Sequence, residues 1–497
     1  MGLLDGIRFV RWAYALSKLR RAAPECWLVR QQARLRELLR LAVDRAPFYR
    51  AKYRGIDVSR CRLTDLPPTS KSELMAHFDE AVTDPEIRRA DLEAFLDDPG
   101  NVGRWFLGRY AVSHTSGSQG QPMMIVQPRR LLELFFALQL TRGNATTRVT
   151  VPEAFRRLFN RGRLAVVTMK NGFYPSASTF SYMPPIVSAY TKVLRLSQTD
   201  PDLIEKLNAF RPQALTGYAS VLDRLAAEAE AGRLRLAPDL KQLVNNSEML
   251  TEAARARIEA AFGVHVMNNY ATGECTFLSI GCRKDVGAHV NADWVIFEVV
   301  DEQYRPVPPG TPGQKVLITN LGNTVQPFIR YEVGDVVVMA TTPCRCDSTM
   351  PRIERIEGRT SDKFWVRDGS AYRPVPSSVF KQAFDYLREV REWQAVQEKR
   401  NSVTLRVELL PGAVLDETRA WSIIHRQLDL YDLRGLLQLR LETVPRLVAD
   451  PATGKFRRMV SLVGAPSDLP SAENGNAPAT LKTPAAVTSA AVTSKAG

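Results

Sequence analysis

A chain of 497 residues exceeds one ordinary hydrophobic core, so two or three domains are expected, and 45% hydrophobic with 24% charged residues is a globular composition. The 67 Lys and Arg against 53 Asp and Glu leave a net +14, which favours anionic partners such as nucleotides, coenzyme A or phospholipid headgroups; the excess is scattered and no zinc-finger or RNA-binding signature occurs, which argues against nucleic acid. No run approaches the ~20 apolar residues of a membrane span, no compact signal-peptide core opens the chain, and six cysteines are too few for a disulfide scaffold, so a cytoplasmic protein is expected.

Ile7 to Arg21 (IRFVRWAYALSKLRR) mixes Phe9, Trp12, Tyr14 and Leu16 with basic residues and reads as a docking helix with a solvated basic face. Weak contact with a membrane surface is the other use of such a pattern. From Gln31 to Arg50, Leu35, Leu38, Leu39, Ala42 and Val43 recur at helical spacing, with a stop before Pro47. The stretch SHTSGSQGQP then packs Ser116, Gly117, Ser118 and Gly120 into one turn. Such a turn is either an ordinary polar loop or one whose backbone N–H groups approach a phosphate. No Walker sequence occurs, since Gly454-Lys455 is followed by Phe456.

From Arg163, apolar runs suited to buried strands (RLAVVTM, QALTGY, KQLVNN, VHVMNNY) alternate with helical segments near 219–231 and 251–262. That rhythm predicts a parallel sheet covered by helices. Beyond Asn291 the helices stop, and DWVIFEVVD, QKVLITNL and VVVMA read as an antiparallel β-rich lobe. After EGRTSDKFWV the order becomes helix, two strands, helix and strand. The fold class is therefore α/β: a large N-terminal region with a parallel sheet and a β-rich lobe, and a small mobile α+β C-terminal domain. The expected boundaries are a helical part over 1–100, an α/β core over 101–290, the β-rich lobe over 291–358, the small domain over 359–464, and an Ala/Ser/Thr/Pro-rich disordered tail over 465–497.

Three later stretches complete the chemistry. NNYATGE follows a strand with Tyr270 and then Glu274, an aromatic face and a carboxylate suited to a base and to Mg²⁺. IRYEVGDVV places Asp335 after a glycine, where it can accept hydrogen bonds from ribose hydroxyls, and DPATGKFRR carries Lys455 on a Gly turn. In addition, Cys282 and His289 (CRKDVGAH) with Cys344 and Cys346 (CRC) make up a tetrahedral Cys₃His donor set or, alternatively, two buried cysteines and a turn pair.

In this order and spacing the motifs resemble those of the adenylate-forming superfamily. RLRELLRLAVDRAPFYRAKY, LTDLPPTSKSEL, FRPQALTGYASVLDRLA and NNSEMLTEAARARIEAAFG resemble its phenylacetate-CoA ligase and CapK-type branch, over about Gln31 to Ser461. The resemblance implies ATP-dependent activation of a carboxylic acid, aryl or arylacetic being nearest, through an acyl-adenylate, followed by transfer to coenzyme A. It places Ser116, Gly117, Ser118 and Gly120 at the ATP phosphates, Ser247 and Glu248 on the adenine side, Tyr270 against the adenine, Asp335 at the ribose and Arg359 beside the hinge. Glu274 would hold Mg²⁺, and Lys455 would bridge the carboxylate and the α-phosphate. The branch also carries a Cys/His cluster in its β-rich lobe, which implies structural Zn²⁺ at Cys282, His289, Cys344 and Cys346. Gln119, Gln121, Gly273 and Ser361 depart from the usual pattern. Two other readings share these residues: an adenylating enzyme with an acceptor other than coenzyme A, in cell-surface polysaccharide or secondary metabolism, and a non-catalytic nucleotide-binding descendant.

Overall fold

The structure, a computed structural model, describes residues 3–115, 122–143, 161–168, 173–359, 363–449 and 456–463. The chain forms two compact units, Met1–Ser361 with Val448–Phe456 and Asp362–Leu447 with Arg457–Gly497. The expected tail over 465–497 lies outside the described residues.

In the first unit, α1 (Leu3–Leu19) docks through Phe9, Leu16 and Leu19, which are buried against a core shared with α3 (Arg129–Leu138). Trp12 adds an edge-to-face contact with Trp294 at 5.5 Å between ring centroids. The apolar stripe of α1 is thus spent on packing, while Val10 and Tyr14 remain exposed. Helix α2 (Pro24–Arg45) starts with proline in its first turn and stops at Ala46, directly before Pro47, because a proline ring disfavours helical geometry in the residue before it. Its buried face is Trp27, Gln31, Leu35, Leu38, Leu39 and Ala42.

Strands β1 (Tyr110–His114) and β2 (Met124–Pro128) form an antiparallel hairpin that the sequence pattern did not suggest. The central sheet is parallel, in the order β4-β3-β5-β6-β7, with β3 Gly162–Thr168, β4 Thr191–Ser197, β5 Ala214–Gly217, β6 Gln242–Asn245 and β7 Val266–Asn268. Helices α4 (Leu203–Phe210), α5 (Ala219–Glu230) and α6 (Glu252–Phe262) connect successive strands. Alternation decides which side chain faces what. Ala165, Val167, Leu215 and Leu243 enter the core with Leu207, Leu222 and Ile258 of these helices. Leu164, Val166, Thr216 and Val244 point to the opposite face, where the sheet borders a cavity.

The β-rich lobe is antiparallel, as its turns predict. Strands β10 (Val295–Val300), β11 (Lys315–Asn320) and β12 (Tyr331–Val333) form one sheet. A second contains β8 (Ser279–Gly281), β9 (Ala288–Val290), β13 (Asp335–Met339) and β14 (Arg352–Arg359).

The second unit opens with a hairpin, β15 (Lys363–Asp368) and β16 (Ala371–Pro376), that precedes the expected helix. Helix α7 (Ser377–Asp385), β17 (Val390–Lys399), β18 (Ser402–Leu409), α8 (Glu417–Leu430), β19 (Gln438–Thr443) and β20 (Met459–Ser461) follow. The four-stranded sheet β19-β18-β17-β20 buries Trp393, Leu405 and Val407 under Phe380 of α7 and Ile424 of α8. The two helices thus cover one face of the sheet, an α+β arrangement.

Candidate active site

A cavity of about 970 Å³ lies in the first unit, bounded by the parallel sheet, by α3 and by the β-rich lobe. Glu274, Asp335, Arg359 and Ser247, drawn from separate motifs, all line it. It begins at the carboxyl ends of the strands, where parallel α/β sheets commonly bind ligands.

Glu274 is held on a tight turn. The Thr272 N–H donates to the Cys275 carbonyl at 3.3 Å, and the Cys275 N–H donates back to the Thr272 carbonyl at 3.1 Å. Asn320 Nδ2 donates to the Glu274 carbonyl at 2.8 Å, and the buried Tyr331 hydroxyl donates to its carboxylate at 2.7 Å. Gly273 is tightly packed: a Cβ there would meet Ile125 Cδ1 at 2.8 Å and Thr115 Cγ2 at 2.9 Å, so these side chains would have to shift. The turn packs on the root of the Ser/Gly loop, and a side chain at Gly273 would displace Ile125 or Thr115.

That root is closed by two hydrogen bonds between Thr115 and Met123. The Thr115 N–H donates to the Met123 carbonyl, and the Met123 N–H donates to Thr115 Oγ1, both at 2.9 Å. Ser116, Gly117, Ser118 and Gly120 themselves lie outside the described residues, as does Lys455.

Asp335 is buried, and both its oxygens are engaged. The Tyr270 hydroxyl donates to one at 2.6 Å, and Arg359 Nε approaches the other at 3.2 Å. Burial first, and then the Asp335 charge, pushes the Tyr270 hydroxyl well above the usual phenol range, so it stays a donor. Tyr270 is not among the cavity-lining residues; its ring is buried with an edge to Phe297 at 6.1 Å. The geometry shown is that of a positioning hydroxyl behind Asp335, in place of the exposed stacking face expected for it.

Ser247 lines the cavity in a left-handed conformation, φ +67°, just beyond β6. Glu248 turns away from the lining. One of its oxygens accepts the Ser220 N–H in the first turn of α5 at 2.9 Å, and the other accepts the Phe456 N–H at 3.1 Å. A carboxylate there satisfies an orphan donor and complements the helix dipole, which is a structural use of the residue.

Two participants went unread in the sequence. Tyr331 holds Glu274, and Lys71 lines the same end of the cavity. Thr69 pairs with the chain at Tyr331: its N–H donates to the Arg330 carbonyl at 3.0 Å and its carbonyl accepts the Glu332 N–H at 2.9 Å. Lys71 then starts a short helix whose capping box, Ser70 with Glu73, was a legible signal for the helix though not for the site. Burial lowers the Lys71 ammonium below the usual lysine range, while the Glu274 charge acts to raise it.

Away from the cavity, the donor atoms of Cys282, His289, Cys344 and Cys346 lie within 4.8 Å of one another. Cys282 Sγ and Cys344 Sγ are 3.4 Å apart, and Cys346 Sγ and His289 Nε2 are 3.2 Å apart. Around a zinc ion with Zn–S near ~2.3 Å, tetrahedral edges of ~3.7 Å follow. His289 Nδ1 lies 3.1 Å from the Met350 carbonyl, an orientation that leaves Nε2 for the cluster. Gly287, at φ +103°, permits the turn that joins Cys282 to His289. Asp285 braces the Cys344-Arg345-Cys346 turn by accepting from Arg345 Nε at 2.8 Å and its N–H at 3.0 Å. Just beyond the cluster, the Thr349 N–H donates to the Arg20 carbonyl at 3.1 Å and Thr349 Oγ1 donates to the Ala22 carbonyl at 2.6 Å.

No family model matches the chain. Over 361 residues, 69% of this chain and 72% of its counterpart, it is 26% identical to a phenylacetate-coenzyme A ligase of Thermus thermophilus. Over 192 residues, 36% of this chain and 41% of the other, it is 29% identical to the protein CapK of Staphylococcus aureus. Among solved structures, a 2-hydroxyisobutyryl-CoA ligase in the postadenylation state with 2-HIB-AMP superposes with a TM-score of 0.64 at 22% identity, covering 87% of this chain and 88% of that one. An open conformation of that ligase, with 2-HIB-AMP and CoA, gives 0.54 at 21% identity over 86% and 90%. At these identities the solved structures speak for the fold.

Proposed function

Because the chain belongs to the adenylate-forming superfamily, in the branch of phenylacetate-CoA ligase and CapK, we propose that it activates an apolar carboxylic acid with ATP and passes the acyl group to coenzyme A. The observation that carries this reading is the meeting of Glu274, Asp335, Arg359 and Ser247 at one end of one cavity. Phenylacetate, the acid in the name of the similar ligase, is the first candidate.

In the first step a carboxylate oxygen attacks the α-phosphorus, the bond to the β-phosphate breaks and pyrophosphate leaves. Both reactants are anions, so the protein must neutralise and position them. Asp335, fixed by Tyr270, accepts from the ribose hydroxyls. The Glu274 carboxylate, an oxygen donor held by Tyr331 at the cavity wall, fits a Mg²⁺ ion, which when bound supplies further neutralisation of phosphate charge. Lys71 and Arg359 contribute positive charge at the cavity wall, and the roles proposed for Lys455 and for Ser116 to Gly120 are a further charge and N–H donors. In the second step the coenzyme A sulfur attacks the acyl carbonyl carbon, the bond to AMP breaks, and the thiol proton passes to solvent.

Cys282, His289, Cys344 and Cys346 fit a structural zinc: four donors, no open position, and an outer partner on the histidine. None of the six cysteines is in a disulfide. No helix among the described residues is long and apolar enough to cross a membrane.

Acid-dependent ATP–pyrophosphate exchange, followed by acyl-CoA formation, tests the reading. Exchange without coenzyme A consumption would move the chain to the CapK-like alternative with another acceptor. ATP binding with no exchange for any acid would mark a nucleotide-binding descendant.

A further inference from the structure

The cavity does not end where an arylacetic acid would. Gly162, Leu164, Val166 and Thr168 all line it. These are every second residue along the whole of β3, so the space runs from the carboxyl edge of the sheet to its amino edge. Six residue steps of strand amount to about 20 Å. The neighbouring strands agree: β5 contributes Thr216 and Ala214, and β6 contributes Val244 and Gln242, with Leu164 in register with Ala214 and Ala214 with Gln242.

The facing wall carries apolar side chains along most of this length, while Gln139 and Arg283, the latter bonded to Gln242, join the lining at the amino edge. Phe135 and Phe136 of α3 and then Leu140 line that wall, with Phe180, Met183 and Val187 from the connection between β3 and β4. At the amino edge the lining includes exposed Lys241 and Tyr190, so the space reaches the surface there. Glu274 and Asp335 lie at the other end. A benzene ring on a one-carbon arm, with its carboxylate at that end, would leave Leu164 and Ala214 without a partner.

We infer that the acid this site takes is elongated and predominantly apolar, with an alkyl or aryl-alkyl tail lying along the sheet between Val166 and Val244 on one side and Phe135 and Phe180 on the other. The inference rests on the adenylation reading above and sets the substrate class within it. Apolar walls gain from each methylene they cover, so the specificity constant should rise about fourfold per added CH₂ while the tail stays between them. The gain should level off once the tail reaches the polar end of the space, at Gln139, Gln242, Arg283 and Lys241.

The test is ATP–pyrophosphate exchange with straight-chain acids of increasing length and with phenylalkanoates from phenylacetate upward. The expected result is an optimum well beyond phenylacetate. Ala214→Phe, which places a ring at the far half of the space, should move that optimum to shorter acids; Leu164→Ala, which only removes atoms, should move it to longer ones. Exchange confined to phenylacetate and shorter acids overturns this inference and leaves adenylation standing. Exchange with no acid, in protein that binds ATP, overturns adenylation itself. If Ala214→Phe fails to fold, the wild-type length series and Leu164→Ala still decide.

Discussion

At the scale of single residues, the Asp335 carboxylate is the most constrained group of the site. Tyr270→Phe removes its buried donor and leaves the charge short of a partner, at a cost of about 1–3 kcal/mol. The expected outcome is a raised KM for ATP with a smaller change in kcat, read by steady-state kinetics. Lys71 gives a pH prediction. Its ammonium is held below the usual lysine range by burial, so its charge is lost as pH rises through that lowered value. The alkaline limb of kcat/KM should therefore begin earlier than a solvated lysine would set it, and Lys71→Arg should move the limb upward. The folded chain releases this proton more readily than the unfolded chain does. Titration of Lys71 alone therefore adds stability as pH rises from the folded value to the unfolded one. Neither Tyr270 nor Lys71 could be given these roles from sequence. A motif shows which aromatic ring precedes a carboxylate, but whether the ring is exposed depends on packing against Phe297. Lys71 reaches the site only because Thr69 pairs with a strand more than 200 positions later.

At the scale of elements, runs such as RLAVVTM and KQLVNN were legible because buried parallel strands are continuous apolar segments, and their helices carried a 3.6-residue stripe. The two missed hairpins had weaker patterns. Strands β1 and β2 flank a polar loop whose chemistry drew the attention, whereas β15 and β16 meet at Gly369-Ser370, a turn signal that could have been used, with Gly369 at φ +61°. Both ends of the cavity lie on strands foreseen from sequence, yet its length was not foreseen, because alternation says which face a residue takes and not what covers that face. Gly287 joins β8 to β9 under the tightest constraint: a Cβ there would meet the Ile353 carbonyl oxygen at 2.2 Å. Gly287→Ala should cost about 2 kcal/mol or more, from strain at positive φ and the clash, and should lower bound zinc. Thermal melting and metal analysis of the purified variant would check both.

At the scale of the whole molecule, every residue given a part in the proposed reaction falls in the first of the two compact units. Lys455 stands in the short stretch, Val448–Phe456, that groups with the first unit although Leu447 and Arg457 on either side belong to the second. Lys455→Ala should lower the rate of adenylation about 10²–10³-fold, as does loss of one preorganised donor elsewhere. Thioester formation from a supplied acyl-adenylate should fall much less, and single-turnover measurements of each half-reaction separate the two. The Cys/His cluster acts over a similar range. With the proposed zinc bound it would hold the turn at Cys344 and Cys346, and Thr349 donates to the Arg20 carbonyl, 329 positions away in the chain. A strong chelator should therefore do more than expose four ligands. The end of the first helix and the segment from 343 to 350 should begin to exchange their amide hydrogens together, as one cooperative opening, while β3, β5 and β6 keep their protection.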